Sequence, residues 1–169
     1  GHVSPEEGNL IATSGIVTLL AANGFWMQDP NGDGDDATSD GIFVFTGSVP
    51  GVAVSDTVDV EGTVAEFFGE TQISGSPVVS VTSSGNILPA ALTISTDLSA
   101  DRVMPDRIVD DAGSAVFDPA NHGRDFYESL EGMLVTLPNA MAVSDEDTRP
   151  SRGEFYAISQ DGNPAQVND

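Results

Sequence analysis

The sequence predicts an all-β protein, a small barrel or sandwich of short strands with little helix. Two features of the first half predict it: short segments rich in β-branched and aromatic residues recur there, and Gly, Asn, Asp and Pro separate them. A third is composition, since hydrophobic residues make up 39% of the 169 residues, enough to build a buried core.

Five segments predict the strands of this unit. The most regular is residues 57–67, where Val58, Val60 and Val64 fall on one face and polar residues on the other. The last segment contains Gly75 and Pro77, which is typical of an edge strand. The predicted strands are residues 11–20, 24–28, 42–46, 57–67 and 72–81.

The second half of the chain is less regular. Residues 97–122 mix Asp, Pro, Ala and Arg without a period, which predicts a long connection with room for one helical turn. We therefore divide the chain into a barrel-like unit, residues 1–96, and a second part, residues 97–169. Residues 132–136 are weakly similar in sequence to residues 15–18, so the second part could also be the beginning of another barrel. Its predicted elements are a short helix at 124–130, strands at 132–137 and 154–158, a polar loop at 144–152 and a frayed tail from 161.

The charge of the chain is strongly negative. There are 27 acidic and 5 basic residues, a net charge of -22, and every basic residue is an arginine. This field repels phosphate backbones, so a broad nucleic-acid-binding surface is not expected. A saline or calcium-rich setting would relieve the repulsion, while the alternative is that acidity only provides solubility.

Cysteine is absent, which excludes disulfides and thiolate metal sites. No apolar run approaches the roughly 20 residues that span a bilayer, so no membrane span is expected. The opening Gly1-His2 has the look of a cloning remnant, so we expect the chain to be a piece of a larger protein.

An acidic loop at residues 29–40 gives the sharpest local signal. Its oxygen-bearing side chains stand at loop positions 1, 3, 5, 7 and 12, with Gly34 at position 6, which is the spacing of a calcium loop. The sequence therefore predicts a structural calcium site. Its expected ligands are the side chains of Asp29, Asn31 and Asp33, the carbonyl of Asp35, and Asp40 as the closing residue.

Two departures from the calcium pattern keep an alternative open. Position 12 is the shorter Asp rather than Glu, and strands rather than helices flank the loop. Asn-Gly and Asp-Gly pairs are also ordinary hairpin chemistry, so a solvated acidic turn is the other interpretation.

The aromatic residues give one candidate for ligand binding. Trp26 lies on the strand face opposite Phe25 and Met27, so one of the two faces points outward and Trp26 could stack a base or a sugar. Packing in the core is the alternative for Trp26. It is the expectation for Phe43, Phe45, Phe67 and Phe68.

No catalytic residue is assigned. The internal histidine His122, beside Asp118 and Asp125, could serve phosphodiester chemistry, but we interpret it as a polar loop residue before a helix. Nucleophile-elbow, P-loop, zinc-protease and dinucleotide motifs are all absent from the sequence.

Several motifs together resemble a known family. They are Gly24-Phe25-Trp26-Met27-Gln28-Asp29-Pro30, Asp33-Gly34-Asp35, Ala37-Thr38-Ser39-Asp40-Gly41-Ile42-Phe43-Val44, Val58-Asp59-Val60-Glu61-Gly62-Thr63-Val64 and Glu66-Phe67-Phe68-Gly69-Glu70-Thr71-Gln72-Ile73. The chain resembles the OB-fold-like domain that precedes the endonuclease/exonuclease/phosphatase catalytic domain of bacterial extracellular nucleases. The later stretch Glu131-Gly132-Met133-Leu134-Val135 is similar to the stretch that follows in those proteins.

The resemblance implies an OB-type five-stranded barrel with an additional C-terminal β-rich segment. It also implies a secreted, extracellular, non-catalytic module of a metal-dependent nuclease, with the catalytic domain of the parent chain as its partner. The module would position that domain or bind single-stranded nucleic acid weakly, for example with Trp26, Arg102, Arg107 and Arg124 on one face. The alternative function is an acidic, calcium-stabilised surface or adhesion module that binds no nucleic acid.

Overall fold

A computed structural model of the chain describes residues 3–105, 116–143 and 157–159. It confirms the all-β class, because strands dominate and the described residues contain one short helix. The first five strands follow the predicted segments closely. They are β1 (Leu10–Ala21), β2 (Gly24–Gln28), β3 (Gly41–Phe45), β4 (Thr57–Phe67) and β5 (Glu70–Ser83).

These five strands close into a barrel in the order β1-β2-β3-β5-β4, with β1 paired to both β2 and β4. All pairs are antiparallel except β3 with β5, which run parallel through Phe43–Gln72 and Val44–Ile73. This is the strand order of an OB-type barrel. The pairing of β5 with β3 ends at Ile73, whereas its pairing with β4 continues to Ser83. Beyond Gly75, β5 is therefore an edge strand, as its glycine and proline predicted.

The barrel core follows from the period-two alternation of its strands. The buried residues Val58 and Val60 on β4 meet Phe25 on β2 and Val44 on β3, each at most 1% exposed. Removing each such side chain from water contributes about 1.5–3 kcal/mol. The remaining members of this core are Val17, Met27 and Ile73.

The expectation that four phenylalanines fill the barrel core is wrong. Phe43 is buried, but it lies on the outer face, because its neighbour Val44 points inward. Phe45 is 37% exposed, Phe67 55% and Phe68 94%. The register explains the last two: Phe67 pairs with Glu70, so Phe68 and Gly69 form a two-residue turn, with φ of 54° and 88°.

A second core forms beside the barrel. Strand β6 (Leu92–Ser95) pairs in parallel with β7 (Arg102–Val103) and β8 (Val135–Thr136), and helix α1 (Gly123–Glu128) lies between β7 and β8 in sequence. The buried residues Ile94, Phe126 and Leu130 form this core, with Leu92, Met104, Met133 and Leu137 packed against them.

The predictions for the second half hold in part. The helix predicted at 124–130 is observed one residue earlier and ends sooner, whereas β6 was not predicted. The strand predicted at 132–137 shortens to β8, because Gly132 has a φ of 71° and turns the chain. Strands β9 (Ala140–Ala142) and β10 (Ala157–Ser159) pair with each other. The rest of the predicted strand at 154–158, the polar loop and the tail lie outside the described residues.

No helix within the described ranges is long and apolar enough to cross a bilayer.

Candidate functional site

The acidic loop is ordered by its own carboxylates. The N–H of Asp29 donates to the carbonyl of Asp40 (2.9 Å), which closes the loop at its base. Four carboxylates then accept backbone N–H groups inside it. These bonds run from Asn31 to Asp29 (2.8 Å), Asp35 to Asp33 (2.8 Å), Ala37 to Asp35 (2.9 Å) and Asp33 to Asp40 (3.1 Å).

Three of the five predicted calcium ligands share a cavity. Asp29, Asp33 and Asp40 line a space of about 260 Å³, together with the hydroxyl-bearing residues Thr13, Ser14 and Ser39. Asp35 lines a different cavity, and Asn31 is exposed. Within the part of the chain that the structure describes, no three His, Asp or Glu side chains gather closely enough to hold a metal ion.

The charge state of the loop favours a cation. Hydrogen bonds from the Asp35 backbone and the Thr38 hydroxyl lower the pKa of Asp33, so this carboxylate is ionised at neutral pH. The donor set consists of oxygens alone, which suits calcium. The loop therefore has the right donors, and the carboxylates would have to converge further to surround an ion.

The outer face of β2 and β3 is an aromatic surface that another part of the chain covers. The rings of Trp26 and Phe43 pack against each other with centroids 4.6 Å apart, tilted by 47°. Phe43 and Gln28 are only 6% and 4% exposed although both point away from the barrel core, and Trp26 is half-buried.

Residues 131–134, called the covering segment here, lie on this face. The hydroxyl of Ser39 donates to the Glu131 carbonyl oxygen (2.5 Å), and the Leu134 N–H donates to Oε1 of Gln28 (2.9 Å). The Thr71 N–H donates to Oε2 of Glu131 (3.1 Å). These three bonds join three different strands or loops of the barrel to one short segment.

Two glycines make this approach possible. A Cβ built on Gly41 would stand 2.5 Å from the carbonyl carbon and oxygen of Gly132, so the backbones meet where a side chain would be. A Cβ on Gly132 would lie 3.4 Å from the Trp26 ring and 3.1 Å from the Ile42 nitrogen. Only glycine at position 41 lets the covering segment come this close.

The carboxylate of Glu131 lies among other acidic groups. Burial first, and then the charges of Glu128, Glu70 and Glu66, raise the pKa of Glu131 to about 7, while the hydrogen bond from the Thr71 N–H opposes the rise. Glu66 is tied to the same place, because its Oε1 accepts the Thr71 hydroxyl (2.8 Å).

Of the three arginines expected beside Trp26, the structure describes Arg102 and Arg124. Arg102 is 9% exposed, and its Nη2 donates to the Asp36 carbonyl (2.5 Å) and to the Ser129 hydroxyl (2.8 Å). Its guanidinium also lies 5.7 Å from the Phe126 ring centroid. Arg102 thus links the acidic loop to α1, while Arg124 is exposed and Arg107 lies outside the described residues.

The region around His122 forms a second cavity of about 970 Å³. Nδ1 of His122 lies 3.6 Å from Oδ2 of the fully buried Asp125. The same Oδ2 accepts a hydrogen bond from the Asp118 N–H (2.7 Å). The Asn121 amide donates to both oxygens of Asp118 (3.0 and 2.9 Å). These bonds fix the turn that leads into α1, which fits the interpretation of His122 as a polar residue before a helix.

Sequence reasoning did not identify Ser39, Gly41, Glu131 or Gly132 as site residues. The only signal was indirect: both stretches belong to the family resemblance, and the structure brings them into contact.

Comparison with known proteins gives one match. Residues 97–169, less than half of the chain, match a family model described as a domain of unknown function (DUF8508). No curated protein and no solved structure matches the chain.

Proposed function

We propose that this chain is a non-catalytic accessory module of a secreted bacterial nuclease, whose barrel holds the chain that follows it and thereby positions the catalytic domain. The observation that carries the proposal is the covering segment on the outer face of β2 and β3. Three hydrogen bonds and a backbone contact between Gly41 and Gly132 fix it there.

The location of this contact favours positioning over nucleic-acid binding. OB barrels bind oligonucleotides on the face of their second and third strands. Here the covering segment lies on that face: a Cβ on Gly132 would stand 3.4 Å from the Trp26 ring, and Trp26 with the Phe43 ring packed against it are the rings on which a base would stack. The net charge of -22 disfavours a phosphate backbone on the same surface.

The nuclease parentage is supported by the sequence resemblance and by the contact between its two stretches. A direct check is the reading frame of the natural gene. The proposal predicts an endonuclease/exonuclease/phosphatase domain encoded after residue 169. A frame that encodes an unrelated domain there would remove the nuclease from the proposal and leave the positioning role.

An oligonucleotide titration tests the role of the face. Trp26 is the single tryptophan, so its emission reports on this surface alone. We expect no change in emission, and no anisotropy change of a labelled 15-nucleotide oligo(dT), at low salt with calcium. Salt-dependent quenching of Trp26 that tracks the anisotropy would show that bases reach the face, and it would overturn the positioning role.

A second function is favoured by the acidic loop: an extracellular surface module stabilised by calcium. Its specific support is that Asp29, Asp33 and Asp40 line one cavity. In this proposal the ion neutralises the loop and ties the end of β2 to the start of β3. Calcium would be structural in either function, and the resemblance makes the nuclease module the first choice.

A further inference from the structure

We propose that the covering segment is a pH-sensitive latch, held on the barrel while Glu131 is protonated and loosened when Glu131 ionises. The inference rests on the proposed positioning role, because it concerns how that contact is regulated.

The geometry places one carboxyl group at the centre of the contact. Glu131 is bound through both its backbone and its side chain: its carbonyl accepts the Ser39 hydroxyl and its carboxyl accepts the Thr71 N–H. Any change in the state of this group therefore acts on the covering segment itself. The bond from Leu134 to Gln28 and the close approach of Gly132 to Gly41 lie within three residues of it.

Among the described residues, the charges that act on this carboxyl come from three glutamates. Glu66 comes from β4, Glu70 from β5 and Glu128 from α1, and each opposes the ionisation of Glu131. Glu66 and Glu70 belong to the barrel, so an ionised Glu131 is repelled by the surface that holds it. A protonated Glu131 keeps the Thr71 bond without that repulsion.

The direction of the effect follows from linkage. In the docked state, desolvation and the neighbouring glutamates raise the pKa of Glu131 from 4.5 to about 7, whereas release returns it towards 4.5. The docked form therefore keeps a proton that the released form loses, and docking weakens as pH rises from 4.5 to 7. The full difference in pKa would change the docking constant more than a hundredfold, but Glu131 is only partly buried, and solvent screening reduces the change to about tenfold.

Release would have a structural consequence at the barrel face. Gly132 moves away from the Trp26 ring when the segment leaves, so Trp26 becomes more accessible at neutral to alkaline pH. The latch thus couples proton concentration to the exposure of the face of the second and third strands, where OB barrels bind ligands.

Hydrogen exchange of the intact chain tests the latch. The Leu134 amide, bonded to Gln28, reports the opening of the segment even when the open form is rare. We expect its protection factor, relative to the intrinsic exchange rate, to fall about tenfold between pH 5 and pH 8. Amides in β4 such as Val60 should keep theirs. In Glu131→Gln, whose amide oxygen still accepts from Thr71, Leu134 should be protected equally at both pH values.

The outcomes separate the latch from the positioning role. Glu128→Gln removes one repelling charge, so the pH at which Leu134 loses its protection should be lower in this variant than in the wild type. A pH response that survives in Glu131→Gln belongs to another group and overturns the latch. If Gly41→Ala removes Leu134 protection but wild-type protection is equal at pH 5 and 8, the latch fails and docking stands. An unprotected Leu134 at pH 5 in the wild type would overturn both.

Discussion

The substitution Gly41→Ala addresses the contact on which the proposed function depends. The added methyl would stand 2.5 Å from two backbone atoms of Gly132 and 2.7 Å from the Met133 nitrogen. Backbone cannot rotate away as a side chain can, so the covering segment must retreat by roughly 1 Å to reach ordinary contact. That displacement would break or stretch bonds that now measure 2.5–3.1 Å.

The size of the effect follows from the bonds lost. Three hydrogen bonds join the covering segment to the barrel, and each contributes about 0.5–1.5 kcal/mol. We therefore expect Gly41→Ala to weaken docking by roughly 2–4 kcal/mol. The barrel should persist, because residue 41 lies at the start of β3 and points away from the core formed by Val44 and its neighbours.

The assay is the fluorescence of Trp26, the sole tryptophan, whose ring lies 3.4 Å from the position that a Cβ on Gly132 would take. Gly41→Ala should shift its emission to longer wavelength and increase quenching by acrylamide, with the strand signal in circular dichroism unchanged. Gly51→Ala is the matched control, because no atom lies within 4 Å of its added methyl. If Gly41→Ala leaves Trp26 as shielded as Gly51→Ala does, the covering segment does not protect this face and the reasoning is refuted.

Two further predictions concern the loops of the barrel. Millimolar calcium, and not magnesium, should raise the melting temperature by several degrees, since calcium at a hundred times its Kd adds about 2.7 kcal/mol of stability. The substitution Asp33→Ala should abolish this rise. If the wild type shows no rise, the acidic loop is a hairpin turn without a calcium site. Phe68→Asn should stabilise the barrel by about 0.5–1 kcal/mol, because Phe68 is 94% exposed in a left-handed turn conformation that Asn adopts readily. A lower melting temperature for Phe68→Asn would show that the ring has a packing role.

The barrel strands could be predicted because their pattern is local. The alternation in residues 57–67 places valines on one face by itself, and turn residues mark where each strand ends. The exposure of Phe67 and Phe68 could not be predicted in the same way. Hydrophobicity alone suggests burial, whereas the pairing of Phe67 with Glu70 places the next residue in a turn.

The second core was harder to predict for a physical reason. Its strand β6 has only four residues and pairs in parallel with two segments, one of them forty residues away in sequence. Such pairing leaves no hairpin signal between neighbouring segments. Helix α1 was visible from its composition, but Phe126 and Leu130 acquire partners only when residues 92–95 and 133–137 arrive from other parts of the chain.

The aromatic pair on β2 and β3 shows why the same local pattern supports two functions. Trp26 points outward, and the small residue Gly41 on the neighbouring strand leaves room for a peptide backbone to approach. Whether a base or a peptide backbone binds there depends on the distant residue Gly132 and on the polar groups that surround the aromatic pair. Gln28 and Ser39 offer an acceptor and a donor that match a backbone N–H and carbonyl, and the surrounding field is strongly negative. The Leu134 N–H and the Glu131 carbonyl satisfy both groups without a formal charge, whereas a phosphate would meet repulsion, so these two polar groups suit a peptide backbone better than a phosphate backbone.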